Sequence, residues 1–236
     1  MKIRTLLLSA ALVASLSVVA SGQSDNSAPT DSLRPRAPSD APWQVIFFTP
    51  GDPTAGDFIS AAIEAGSIPV GLEVTPGESM GVLFARADSM EVQSWAILEY
   101  EDWNSIESEI TGGIADGFVP MDISRYDETL AVLWIKADLV IEGWRMSTSA
   151  NTLSERTRTV NDFQSQGLTL WGMSVHDDLA WYLFLRQPGI PPAGAISVMG
   201  KEGVLLQDGL TDAAVQGWVP NGLASSQDSF YICFVK

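Results

Sequence analysis

Apolar residues along this chain fall into short strand-like runs, punctuated by helical stripes. Trp43-Gln-Val-Ile-Phe-Phe has the aromatic and β-branched content of a strand. Further on, Ile106, Ile110 and Ile114 recur every four residues and predict one apolar face of a helix. Asn104, with Glu107 three residues later, is placed to form a capping box at that helix's start. After the helix comes Gly117-Phe-Val-Pro-Met-Asp-Ile, then an aliphatic run closing on Leu133-Trp134. The predicted unit is strand–helix–strand–strand.

The same pattern returns four times. Gly66-Ser-Ile-Pro-Val-Gly-Leu, Gly117-Phe-Val-Pro-Met-Asp-Ile, Gly167-Leu-Thr-Leu-Trp-Gly-Met and Gly217-Trp-Val-Pro-Asn-Gly-Leu begin 51, 50 and 50 residues apart. From each glycine, the aromatic closing the last strand (Phe84, Trp134, Phe184, Phe234) follows at 18, 17, 17 and 17 residues. Trp43, Trp95, Trp144 and Ile196 open the first strand of each copy. The repeated glycine sits where a helix end needs left-handed backbone, and the Pro at 69, 120 and 220 is expected to stop the helix. Polar turns at Thr75–Ser79, Ser124–Thr129, His176–Asp178 and Ser225–Ser229 are expected to close the hairpins. The third copy departs most: Leu170 replaces the Pro, and its opening strand Trp144-Arg-Met-Ser-Thr-Ser is polar, as an exposed edge would be.

A unit of about 50 residues has too little interior to stand alone, so the copies must share cores. The expected fold class is α+β, with repeats at about 43–88, 95–138, 144–188 and 196–236. They would pack in a ring or curved array, or pair as two ferredoxin-like halves. The Pro-rich stretch Gln187-Pro-Gly-Ile-Pro-Pro reads as a loop between copies three and four.

Residues 1–22 read as a signal peptide: Lys2 and Arg4, an apolar stretch from Leu6 to Ala20, then Ala20-Ser21-Gly22 as a cleavage site. That apolar run is shorter than the roughly 20 residues a spanning helix needs. The chain is thus expected to be exported, periplasmic or secreted, with no membrane span after cleavage. Residues 23–42, rich in Ser, Asp and Pro, read as a disordered tether.

Composition narrows the chemistry. A net charge of −16 opposes nucleic acid as a partner. One His and one Cys exclude structural zinc, disulfide frameworks and His-pair catalysis. Ser174, His176, Asp177 and Asp178 lie too close in sequence for a Ser–His–Asp geometry, and no Gly-x-Ser-x-Gly elbow is present. Glu73, Glu99 and Asp122 are candidates for a glycosidase-type carboxylate pair, weighed against 29 acids that are mostly surface charge. No calcium loop is written in the chain, although Asp122 and Asp127 are placed to offer oxygens at the second turn. Cys233 lies among apolar neighbours as a small core residue. Trp43, Trp95, Trp134, Trp144 and Trp181 are assigned to the core, whereas Trp171 and Trp218 are candidates to line a ligand groove.

The stretch from Ile106 to Lys136, with Gly117-Phe-Val-Pro-Met-Asp-Ile-Ser-Arg-Tyr and Leu130-Ala-Val-Leu-Trp-Ile-Lys, resembles the bacterial tandem-repeat modules of secreted proteins. Similar repeats precede the hydrolase domain of fungal polyglycine hydrolases. The resemblance implies a repeat fold and brings no catalytic residues; no hydrolase domain is expected after Lys236. A second stretch, Gly81-Val-Leu-Phe-Ala-Arg-Ala-Asp-Ser-Met-Glu to Glu101-Asp102-Trp103, is similar to the YCII-like ferredoxin-type domain, which implies a helix over Glu91 to Tyr100. That family's Asp-Pro is Asp102-Trp103 here, and the first half has no His.

The expected function is a secreted, non-catalytic repeat module that binds a protein or glycan through Asp122, Tyr126, Asp127, Trp171, His176, Asp177 and Trp218. The alternative is a carboxylate-based or YCII-like acid–base enzyme. Neither metal nor cofactor is expected, and the oligomeric state is left open.

Overall fold

In the computed structural model, the described residues run from Trp43 to Val235, apart from positions 50, 76–78, 87–89, 103, 190–191, 193, 201–209, 211–212, 214 and 227–228. The signal peptide and tether read from the sequence therefore lie outside the described residues, as does most of the fourth expected helix. Among the described residues no helix is long and apolar enough to cross a membrane.

The fold is α+β, with three helices and twelve strands among the described residues, the strands forming four three-stranded antiparallel sheets. Sheet I comprises β1 (Trp43–Phe48), β2 (Ser67–Thr75) and β3 (Ser79–Arg86), with helix α1 (Ala55–Glu64) between β1 and β2. Sheet II has β4 (Val92–Tyr100), β5 (Phe118–Tyr126) and β6 (Thr129–Ala137), with α2 (Ile106–Ala115). Sheet III has β7 (Gly143–Ala150), β8 (Thr169–His176) and β9 (Leu179–Arg186), with α3 (Leu153–Ser165). Sheet IV has β10 (Ala195–Gly200), β11 (Val219–Ser225) and β12 (Ser229–Val235). In every sheet the last strand is central, flanked by the first strand outside and the second inside.

Local sequence explains these elements. Gly66, Gly117, Gly167 and Gly217 all hold φ between 78° and 85°, the left-handed conformation that ends a helix. The prolines do something other than stop a helix. Pro69, Pro120 and Pro220 lie inside the inner strands, at a break in register with the central strand that recurs at Leu170 in β8. Such a bulge suits a residue that lacks an N–H. Ile106 and Ile110 are buried and Ile114 is half-buried, as the helical stripe predicts. The expected capping box does not form. Asp102 instead accepts the Asn104 amide (3.0 Å) and its side-chain nitrogen, and the helix starts at Ser105 without a side-chain cap. Among the described residues a side chain does cap α3: Thr152 accepts from the Glu155 amide. Val92–Tyr100 is a strand, where the YCII-like resemblance requires a helix. Ile196 pairs with Cys233, whereas Trp95 and Trp144 pair with Ile135 and Leu185. Counted from the landmark glycines, Ile196 thus enters its sheet two positions later than those tryptophans.

The inner strands carry the packing between sheets. β2 packs on β5, β5 on β8, β8 on β11, and β11 back on β2. Each junction is bridged by a side chain. Ser124 Oγ accepts the Val74 amide (2.9 Å), Ser174 Oγ accepts the Arg125 amide (2.7 Å), Asn221 donates to the Trp171 carbonyl (2.7 Å), and Ser225 donates to Glu73 (2.6 Å). One continuous core joins sheets I and II to parts of III and IV, and a second lies between III and IV around Tyr182, Phe184 and Cys233.

Candidate functional site

Two features stand out: a buried carboxyl group where the four inner strands meet, and a groove between sheets II and III.

Asp122 lies on β5 and is fully buried. Its Oδ2 accepts the amides of Leu72 (2.8 Å) and Leu223 (2.8 Å), and its Oδ1 those of Ile123 (2.9 Å) and Met173 (3.0 Å). One side chain thereby ties β5 to β2, β8 and β11. Counted from the landmark glycines, the matching positions are Gly71, Gly172 and Gly222. Their lack of side chains makes the room. A Cβ on Gly172 would collide with Asp122 Oδ1, one on Gly71 would lie 2.9 Å from the Leu223 backbone nitrogen, and one on Gly222 would lie 3.2 Å from Gly172 Cα. Burial pushes the Asp122 carboxyl well above the ordinary range, against the downward pull of the Leu223, Leu72 and Ile123 amides; Glu73 adds to the upward push. Burial, with the Asp122 carboxyl nearby, likewise pushes the Cys233 thiol up, so it is a packed core thiol rather than a ready nucleophile.

The groove has a volume of about 320 Å³ and is lined by Ile106 and Glu107 at the start of α2, by Trp144 to Thr148 of β7, and by Trp181 of β9. Trp144 and Trp181, two of the five tryptophans that the sequence assigns to the core, pack against it half-buried and present the rest of their surface here. The Trp144 indole nitrogen donates to Thr111 on α2 (3.3 Å), as Trp95 does to Ser60 on α1 (3.1 Å). These bonds tie an outer strand to the helix of the preceding sheet. Arg125 stands over the Trp181 ring at 5.9 Å, its guanidinium donating to the carbonyls of Tyr126 and Thr129.

The residues predicted from sequence are scattered around these features. Trp171 is buried and Trp218 half-buried against the core, so neither lines this groove. Tyr126 donates its hydroxyl to Glu99 (2.7 Å), and burial with that acceptor pushes its phenol far above the usual value. Asp127 and Asp177 are the first residues of two-residue hairpin turns, with φ of 45° and 51°. Asp122, buried five residues before Asp127, does not join it in offering oxygens to solvent. His176 is half-buried with Nε2 3.6 Å from Asp177. Ser174, two residues back, is buried with its oxygen capping the Arg125 amide. The three candidate carboxylates are spoken for: Glu99 by Tyr126, Glu73 by Ser225, and Asp122 by four amides. No group of three His, Cys, Asp or Glu among the described residues could hold a metal.

Two signals for these features were present in the sequence. Asp122 lies five residues after Gly117, where the same count from Gly66, Gly167 and Gly217 reaches a glycine, and the strand Trp144-Arg-Met-Ser-Thr-Ser is more polar than Trp43-Gln-Val-Ile-Phe-Phe. No protein-family model matches the chain, and no curated protein matches its sequence.

Proposed function

We propose that this chain is an exported ring of four βαββ repeats that binds a protein or glycan in the groove between its second and third copies, without turning it over. The observation that carries the reading is the groove itself. It lies where the third copy departs from the pattern and offers two indole surfaces, a carboxylate, a guanidinium and hydroxyls, a mixture suited to orienting a ligand. The closed order of inner-strand contacts supports a ring over two separate halves. The engagement of Glu73, Glu99 and Asp122 in structural bonds weighs against the carboxylate-enzyme alternative.

The test is a titration followed by tryptophan fluorescence, with wild type and Trp181→Ala screened against peptide and oligosaccharide panels. The reading expects a saturable response that Trp181→Ala removes while its melting temperature stays within a few degrees of wild type. Binding that survives Trp181→Ala, or hydrolysis of a bound glycan, counts against it.

A further inference from the structure

We infer that the outer edge of β7 docks an extended peptide by strand addition, with one apolar side chain of that peptide seated between Trp144, Trp181 and Ile106. The inference rests on the binding-module reading above and names its ligand class.

Backbone parity sets up the edge. The Asn151 amide donates to the Asp178 carbonyl (2.8 Å), and β7 pairs with β9 without a register break from Gly143↔Arg186 to Ala150↔Leu179. In an antiparallel ladder, bonded pairs alternate with non-bonded ones. Counting back from Asn151, positions 149, 147, 145 and 143 bond to β9, so the amides and carbonyls of 144, 146, 148 and 150 face outward. The outward carbonyls at the two ends are used locally: Trp144's accepts from Arg145 (3.0 Å), and Ala150's accepts the Thr152 amide (2.8 Å). Between them the amides and carbonyls of Met146 and Thr148 have no backbone partner among the described residues. They form a two-residue repeat of donor and acceptor, which is what an added strand requires.

Exposed edges are ordinarily blunted by proline, lysine or a bulge. β4, the matching outer strand of sheet II, carries a break in register between Val92 and Ser94. β7, like β1 and β10, has no such break and contains neither Pro nor Lys; its one charged residue is Arg145, and the groove beside it sets it apart. The face it turns toward α2 is hollowed. Thr148 lies opposite Trp181, and Trp144, four residues back, is on the same face, so the two indoles bracket the groove beside the outward Met146 and Thr148 groups. A volume of about 320 Å³ accommodates one large apolar side chain with the backbone that carries it. Charge selects further. Within the groove Arg145 offsets Glu107, so the bias comes from the chain's net charge of −16, which favours a peptide with basic residues flanking its apolar anchor.

The experiment is selection of a displayed heptapeptide library, alternating apolar with Lys or Thr positions, on the full mature chain. Enriched peptides are then titrated against variants. Met146→Pro deletes an outward amide and leaves the β9 ladder intact; Thr148→Pro does the same one repeat along, should the first variant fold poorly. The expected result is at least a tenfold loss of affinity with either proline variant and with Trp181→Ala. Enriched peptides that bind a folded proline variant as well as wild type would overturn the inference. Oligosaccharides that quench the groove tryptophans and ignore Met146→Pro would overturn strand addition and leave the binding-module reading standing. Silence from both probes would overturn both.

Discussion

Replacing Asp122 with alanine is the perturbation whose size follows most directly from the structure. Four amides, on Leu72, Ile123, Met173 and Leu223, converge on this one carboxyl group, which is fully buried. A buried donor left without its acceptor costs about 1–3 kcal/mol. Four of them set a range of about 4–12 kcal/mol, with the lower end applying if water enters the vacated space. Domain stabilities are about 5–15 kcal/mol, so Asp122→Ala should leave the chain barely folded or unfolded at room temperature. Urea unfolding followed by tryptophan fluorescence and by far-ultraviolet circular dichroism measures this. As a control, Asp127→Ala removes a carboxylate five residues away in an exposed turn, and should cost no more than about 1–2 kcal/mol for its left-handed backbone. A variant at Asp122 that unfolds within 1 kcal/mol of wild type would refute the idea that this side chain ties the four sheets together.

The same carboxyl governs a pH effect. Because burial raises its pKa in the fold, the folded state holds a proton that the unfolded state gives up near the ordinary value, about 3.9. Its contribution to stability is therefore complete below about pH 3.9 and falls as pH rises through the folded value. Asp122→Asn, which stays neutral, should show a flatter dependence across that window; a wild type that instead gains stability there, relative to Asp122→Asn, would mean the amides outweigh burial. Gly172→Ala drives a Cβ into Asp122 and should destabilise by about 1–3 kcal/mol or more, read by thermal melting. Asp177→Gly relieves a left-handed non-glycine at an exposed turn and should raise stability by a few tenths to about 1 kcal/mol. Trp95→Phe removes the indole bond to Ser60 and should cost about 0.5–1.5 kcal/mol.

Much of the architecture was legible because its signals are local. Left-handed backbone at a helix end demands glycine, so Gly66, Gly117, Gly167 and Gly217 mark their places without tertiary information. Strand content was equally plain in runs such as Leu130-Ala-Val-Leu-Trp-Ile. The prolines misled because the turn and the strand bulge both accept a residue without an N–H; only the pairing register distinguishes them. Asp122 read as one acid among many, since its importance comes from amides on three strands roughly 50 to 100 residues away. Strand position alone assigns Trp144 and Trp181 to the core, and both pack against it. Their partial exposure depends on how sheet III meets α2, a relation that no local pattern encodes.

Amide hydrogen exchange at Leu72, Ile123, Met173 and Leu223 tests the central claim most directly, because these donors come from four different sheets and share one acceptor. The account predicts that all four exchange only through global unfolding, with the same free energy as urea denaturation, and that Asp122→Ala speeds them together. Exchange of any one of them through a separate, low-energy opening while the other three stay protected would contradict a fold closed around Asp122.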